Sequence, residues 1–484
     1  MSPSPHLVGG GPAEAQPCAS PTTATLDPAV WAALTYGAAA LGDTRRTQRV
    51  VATMAAIAAH PTASLPQQLR APAALKATYR LLHEPDITAL NLLAPHLAAT
   101  RASAATHPVV LFVQDGSELD YSAHRATRGL GPLGDGRKQG LLLQTALAVL
   151  PADGTVLGLA ASEVFARVPA PRRGERTDER QQRPRESEVW PRLVAQIGAP
   201  PGDQTWVHVG DRGSDGFTFF AACRAQGTQV LLRVAQDRRM TTAAGDLDHV
   251  CTYARTRPPQ ATRSCAVPAR PRTSKHPART ARTTTLALSW AAITVEPPFH
   301  TRKQAPLAAW LVRVWEPDPP PAEQEAPLEW ILLTTVPTTT VADAWERVDW
   351  YERRWVVEDF HQALKTGCRV EQTQLRDGAA IARLLGLLAP VAVRLLQLRG
   401  AARATPELPA TAVLEERVVR VVASLTGHPP ELSCAQVWRL VAQLGGHQGR
   451  TGDGAPGWRT VWRGWQYVHT VLRGVDLAAD LAPP

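Results

Sequence analysis

The stretch from Thr338 to Lys365 contains neither glycine nor proline, is made largely of good helix formers and opens on threonines able to cap a helix. It predicts one long helix, and a helix dictates which residues share a side. At about 100° per residue, Tyr351, Arg354, Glu358 and Lys365 fall at about 0°, 300°, 340° and 320°, a stripe roughly 60° wide over about four turns. A phenol, a guanidinium, a carboxylate and an ammonium on one stripe do not make a core face. The carboxylate is a ligand for a divalent cation, and the flanking groups are donors for phosphate oxygens. The spacing also describes a solvated surface face. Trp345, Trp350, Trp355, Val356 and Phe360 make much of the remaining circumference apolar, which favours a helix buried on most sides with its charged stripe lining a cleft.

Two more carboxylates follow apolar runs. Asp115 stands after Pro108–Gln114 and Asp211 after Thr205–Gly210, each run short and apolar enough for a buried strand. At the ends of neighbouring parallel strands they would lie side by side, where two carboxylates repel and raise a pKa unless a cation sits between them. With Glu358 they form an oxygen-only set that suits Mg2+ or Mn2+ and not zinc. A pair of such ions can activate water and stabilise a leaving 3′ oxygen. An aspartate after a strand is also an ordinary turn or capping residue, and the pattern alone leaves both readings open.

The spacing Y-x2-R-x3-E-x6-K, carried by Tyr351, Arg354, Glu358 and Lys365 and continued through Glu371, resembles the Y-R-E-K signature of bacterial insertion-sequence transposases of the DDE class, cut-and-paste enzymes with an RNase H-like core. The resemblance runs from about Trp31 to the C-terminus. It implies that Asp115, Asp211 and Glu358 are the catalytic, metal-holding residues, with two Mg2+ (or Mn2+) ions per active site. The family's Asp-Thr-Thr reads Asp115-Gly116-Ser117 here, and its Asp-Arg-Glu-Ala-Asp reads Asp211-Arg212-Gly213-Ser214-Asp215, which removes a carboxylate next to the site. For DNA the resemblance points to Tyr351, Arg354 and Lys365, and to Arg212, Arg233 and Arg238. It also points to Trp330, on which the family stacks a flipped base; a plain core tryptophan on a strand fits that position equally. In the N-terminal part, Arg45, Arg46, Lys76, Tyr79 and Arg80 fall in segments that resemble the family's end-binding domain.

The remaining signals bound the answer. The formal charge of +9 and a pI near 9.6 favour a polyanionic partner. The six cysteines include no C-x-x-C pair, which argues against a zinc site or a disulfide framework. No basic-then-apolar leader opens the chain, so a cytoplasmic setting is expected. Ile381–Ala402 is apolar but broken by Arg383, Pro390, Arg394 and Arg399, and reads as a buried helix or helix pair. Gly129–Gly134 matches G-x-G-x-x-G, yet it precedes a strand, whereas a dinucleotide turn needs a strand before and a helix after.

The expected fold is mixed α/β. A disordered tail (1–27) and a helical DNA-binding domain (28–105) come first. An RNase H-like core (106–235 and 338–400) is interrupted by a β-rich insertion (236–337), and a helical dimerisation region (401–484) closes the chain. Within this plan Pro169–Arg185, Arg255–Arg282 and Pro317–Pro327 read as loops. The expected partners are double-stranded DNA, as element ends and target, and a second copy of the chain on that DNA, with no membrane and no nucleotide cofactor. A non-catalytic DNA-binding descendant is the alternative; a small-molecule hydrolase is disfavoured by the basicity and the lack of a serine nucleophile elbow.

Overall fold

A computed structural model describes residues 26–61, 63–168, 185–269, 272, 278–298, 304–321, 325, 327–404, 406–450 and 456–481. Nearly all of the expected tail and of the charged segment 169–185 lies outside them.

The sheet explains most of the architecture. Its strands are β1 Val109–Asp120, β2 Gly131–Leu133, β3 Lys138–Val149, β4 Val156–Phe165, β5 Thr205–Gly210, β6 Gln229–Arg233, β7 Arg239–Thr242, β8 Leu247–His249, β9 Ala261–Val267, β10 Arg282–Val295, β11 Leu307–Trp315 and β12 Glu329–Thr334. They run in the order β2-β3-β1-β5-β6-β12-β11-β10-β7-β8, with β4 on β3 and β9 on β10. β3 is antiparallel to β1, while β1, β5 and β6 are parallel. Parallel strands need both faces covered, so they read as unbroken apolar runs. Leu111, Val113, Val207 and Val209 join one core, and Val110, Phe112 and Trp206 join the other.

Helices cover both faces. The N-terminal part supplies α1 Pro28–Tyr36, α2 Thr44–Ala59, α3 Leu65–Gln68, α4 Pro72–Leu82 and α5 Ala89–Ala104. Then follow α6 Val189–Ile197, α7 Phe217–Ala225, α8 Val250–Thr256, α9 Val341–Glu352, α10 Trp355–Gln362, α11 Gly378–Ala404, α12 Glu416–Thr426, α13 Cys434–Leu444 and α14 Trp458–Leu481. α11 is the axle. Its first 21 residues are long and apolar enough to cross a membrane, but 83% of that window is buried inside the protein. Tyr36 Oη donates to Leu387 O at 2.6 Å, and Gln397 Nε2 donates to Val156 O and Leu157 O, so α11 ties the N-terminal helices to the sheet. At Gly386 a Cβ would sit 2.9 Å from Ala89 O; glycine lets α5 press directly on α11.

The β-rich insertion joins the core sheet, because β12 pairs antiparallel with β6 and extends it. Three expectations change. Arg255–Arg282 is not a loop throughout, because β9 lies inside it and pairs with β10; Thr262, Ser264 and Ala266 face outward while Cys265 and Val267 point into the core, and Arg263 on that same side pairs with Asp349. β1 continues past Asp115 to Asp120, because β3 stays paired with it after the parallel partner β5 has ended. The helix expected over 338–365 is broken. Arg353 and Arg354 bond to the carbonyls three residues back, and the Arg353 side chain donates to Pro151 O and Ala152 O in the β3–β4 turn, at 3.1 and 2.7 Å. That tertiary tether holds the chain at a bend that its local composition does not announce.

Candidate active site

The parallel pairing of β1 and β5 sets Val113 opposite Val209. Continuing that register brings Asp115 level with Asp211, the residue that follows β5. Asp211 caps the short turn Arg212–Ser214, and its Oδ1 accepts from Gly213 N at 2.8 Å. Glu358 enters from α10. Between them lies Arg354, only 8% exposed: Nη1 donates to Asp115 Oδ2 at 2.9 Å and Nη2 donates to Glu358 Oε1 at 3.0 Å. The strand carboxylate and the helix carboxylate therefore share one guanidinium. Among the described residues no three acidic, histidine or cysteine side chains close on a common point as a metal cage would. The donor set is nevertheless the hard-oxygen set a divalent cation takes.

The two glycines that replace larger family residues fit their surroundings. Gly116 faces Gln144 across the β1–β3 ladder, and a Cβ there would lie 2.8 Å from Gln144 Oε1. A Cβ on Gly213 would come within 3.0 Å of Asp211 Oδ1.

Burial pushes the Asp115 carboxyl up to about 7, with Asp211 and Glu358 adding to the rise and Arg354 and the Gly116 amide opposing it. Burial also raises Glu358, again against Arg354. The sign for stability follows. Between about pH 4 and pH 7 native Asp115 holds a proton that the unfolded chain has released, so the metal-free protein loses stability as pH rises through that window. Chemical denaturation across pH 4–7 is expected to show this fall, and Asp115→Asn to flatten it.

One supporting pair was not anticipated. His361 Nε2 lies 2.9 Å from Thr145 Oγ1, and Thr145 Oγ1 donates to Asp115 O at 3.4 Å. Burial holds His361 down at about 3, so the imidazole is neutral at working pH. The pair links the helix of Glu358 to the strand of Asp115. The available signal was His361 standing three residues after Glu358, on the same side of the helix. Thr145→Val, which keeps the volume and loses the hydroxyl, leaves the buried His361 Nε2 without a partner and is expected to lower stability by about 1–3 kcal/mol, read by chemical denaturation.

The other sequence candidates fall in different places. Tyr351 is buried and meets Trp330 edge to face at 5.2 Å. Trp330 is itself 7% exposed, so it occupies a core position here and presents no open face for a base. Arg233 is half-buried and donates to Glu329 O at 2.9 Å; Arg212 is exposed beside Asp211. Arg238 departs from expectation. Its Nη2 and Nε reach Asp215 Oδ1 at 3.0 and 3.1 Å, both side chains are nearly inaccessible, and Asp215 Oδ2 also accepts from Ala235 N and Gln236 N. It braces the loop after β5. Lys365 sits on a π-helical turn, Ala363–Gly367, which carries it off the ideal stripe, and Nζ donates to Glu118 O at 2.6 Å. In the N-terminal helices, Lys76, Tyr79 and Arg80 line an open groove of about 480 Å³ with Pro72, Leu75 and His83. Arg45 is exposed at the start of α2, whereas Arg46 is paired with Glu84 at 2.9 Å.

A mixed sheet with covered faces, aligned strand carboxylates, a helix glutamate and buried arginine at one edge defines a protein whose site is suited to phosphate chemistry. Three families match along the chain: transposase DNA-binding over residues 28–87, transposase DDE domain over 180–393 and the Tn5 transposase dimerisation domain over 390–482. The chain belongs to the DDE-class insertion-sequence transposases, whose DDE domain carries an RNase H-like core. The DDE match contains Asp211 and Glu358, while Asp115 lies before it. Among solved structures, a piggyBac transposase in a synaptic complex with hairpin DNA is similar at 9% identity and a TM-score of 0.33, over 78% of this chain and 62% of that one. The chain thus spans under two thirds of that protein's length.

Proposed function

We propose that this chain is a DNA transposase that binds the ends of its element, cuts them by phosphoryl transfer and joins the freed 3′ ends to target DNA. The observation that carries the reading is the Asp115–Arg354–Glu358 cluster, with Asp211 level across the parallel pair, in a chain whose three parts match transposase domains. Asp115, Asp211 and Glu358 would hold divalent metal, Mg2+ or Mn2+ and two ions by family analogy, which when bound activates the attacking water and stabilises the leaving oxygen. Arg354, Arg212 and Lys365 supply cationic donors around the reacting phosphate and orient it. The groove beside Lys76, Tyr79 and Arg80 would take the end's backbone, an electrostatic contact with steep salt dependence. The family route through a hairpin belongs to this proposal. A non-catalytic descendant would have no use for a carboxyl buried at a cost in stability, as Asp115 is.

The test is sequencing of the DNA that flanks the coding region for inverted repeats, then incubation of full-length protein with a labelled duplex carrying such an end. Metal-dependent nicking at the element's 3′ end, followed by a hairpin product, is the expected result. Binding without any nicking in Mg2+ or Mn2+ would favour the non-catalytic reading.

A further inference from the structure

Arg354 holds an unusual position for a group expected to grip DNA. It is buried, both of its terminal nitrogens are engaged by carboxylates, and its Nε lies buried without an acceptor. The guanidinium is therefore only partly satisfied where it sits, since a buried donor left unbonded is destabilising. It also neutralises the oxygens that a cation would use. Burial alone disfavours two charged carboxylates here, and one positive charge offsets both.

We propose that Arg354 is a resident counter-ion that competes with divalent metal for Asp115 and Glu358 and is drawn off them by a DNA phosphate, so that metal loading and end binding reinforce each other. The inference rests on the proposed active site and adds its regulation. The guanidinium can pair with the carboxylates or with a phosphodiester, and its fork geometry suits either partner. When a phosphate takes Arg354, the carboxylates lose a counter-charge and their demand for a cation rises. Coupling of this kind is reciprocal: whatever factor DNA adds to metal affinity, metal adds to DNA affinity. The free protein would then load metal poorly, and cutting would be confined to bound ends.

The experiment is Mn2+ binding to the full-length protein, by calorimetry or by loss of the free-ion paramagnetic signal, with and without a pre-cleaved end duplex that offers no bond to cut. Arg354→Gln is expected to bind Mn2+ at least about tenfold more tightly than the unmodified chain in the absence of DNA, because a repelling charge a few ångströms away is gone. Duplex is expected to tighten Mn2+ binding severalfold in the unmodified chain and not in Arg354→Gln. Arg354→Lys keeps the charge but cannot bridge two carboxylates, and is expected to fall between them; circular dichroism confirms that each variant is folded. Equal or weaker Mn2+ binding by folded Arg354→Gln, or an unchanged response to duplex, overturns the proposal. Asp115→Asn separates the two levels: if it binds Mn2+ as the unmodified chain does, the proposed metal site itself is wrong, whatever Arg354 does.

Discussion

Asp115→Asn, Asp211→Asn and Glu358→Gln should each reduce end nicking by at least about a thousandfold, roughly 4 kcal/mol of transition-state stabilisation, while leaving end affinity within about threefold. Each replacement keeps the side chain's shape and removes the charge a hard cation requires. The three residues differ in what else they do. Asp115 and Glu358 share Arg354, so their variants leave a buried guanidinium with one anionic partner in place of two and should also lower stability. Asp211 is half-exposed and among the described residues its carboxylate accepts from the local Gly213 amide, so its variant should unfold like the unmodified chain. Nicking assays on labelled ends, with thermal unfolding beside them, separate the two losses. Full cleavage by any one variant would remove that residue from the site.

The second large effect concerns assembly. Two ends must be held together for an element to be cut out and joined elsewhere, and the dimerisation match covers residues 390–482. Helices α13 and α14 pack tightly, with Trp438 stacked on Trp465 at 5.1 Å and a Cβ at Gly464 impossible because Val441 O would lie 1.6 Å away. Yet α14 leaves Tyr467, Val475, Leu477 and Leu481 exposed. We propose these exposed apolar positions on α14 as contacts to a second copy of the chain. A chain stopped near Thr405 should bind single ends and fail to form a two-end complex by light scattering. That truncation also uncovers core residues of α11, so the sharper variant is Leu477→Glu with Leu481→Glu, which alters only exposed positions. It should weaken the two-end complex at least tenfold with the fold intact. A two-end complex formed as readily by both folded variants would place dimerisation elsewhere.

Much of this was decided locally. Strand signals before Asp115 and Asp211 survive because a parallel strand buried on both faces has to be apolar along its length. The helical character of 341–362, apart from its break, follows from composition and from the Thr340–Asp343 capping box. The spacing that puts Arg354 and Glu358 four apart is enough to let them meet on a helix, and they do. Arg354 and Glu358 were therefore legible as a pair, and Asp115 and Asp211 as carboxylates at strand ends, whereas the packing of Tyr351 and the offset of Lys365 were not.

What the tertiary structure decided depends on partners far away in the chain. Nothing near Arg353 predicts a bend there; the carbonyls of Pro151 and Ala152, some two hundred residues earlier, hold it. Arg238 looks like any basic residue beside a motif until Asp215 is found buried against it. Trp330 becomes a core residue only when α9 lays Tyr351 across it. The same holds for the β-rich segment, whose strands read as strands alone but whose place in the main sheet rests on the β6–β12 pairing. Sequence determines which backbone conformations and chemical groups are available, because those preferences act over a few residues. Which charges are neutralised and which faces are covered is set by long-range packing, since burial is a property of the neighbours and not of the residue.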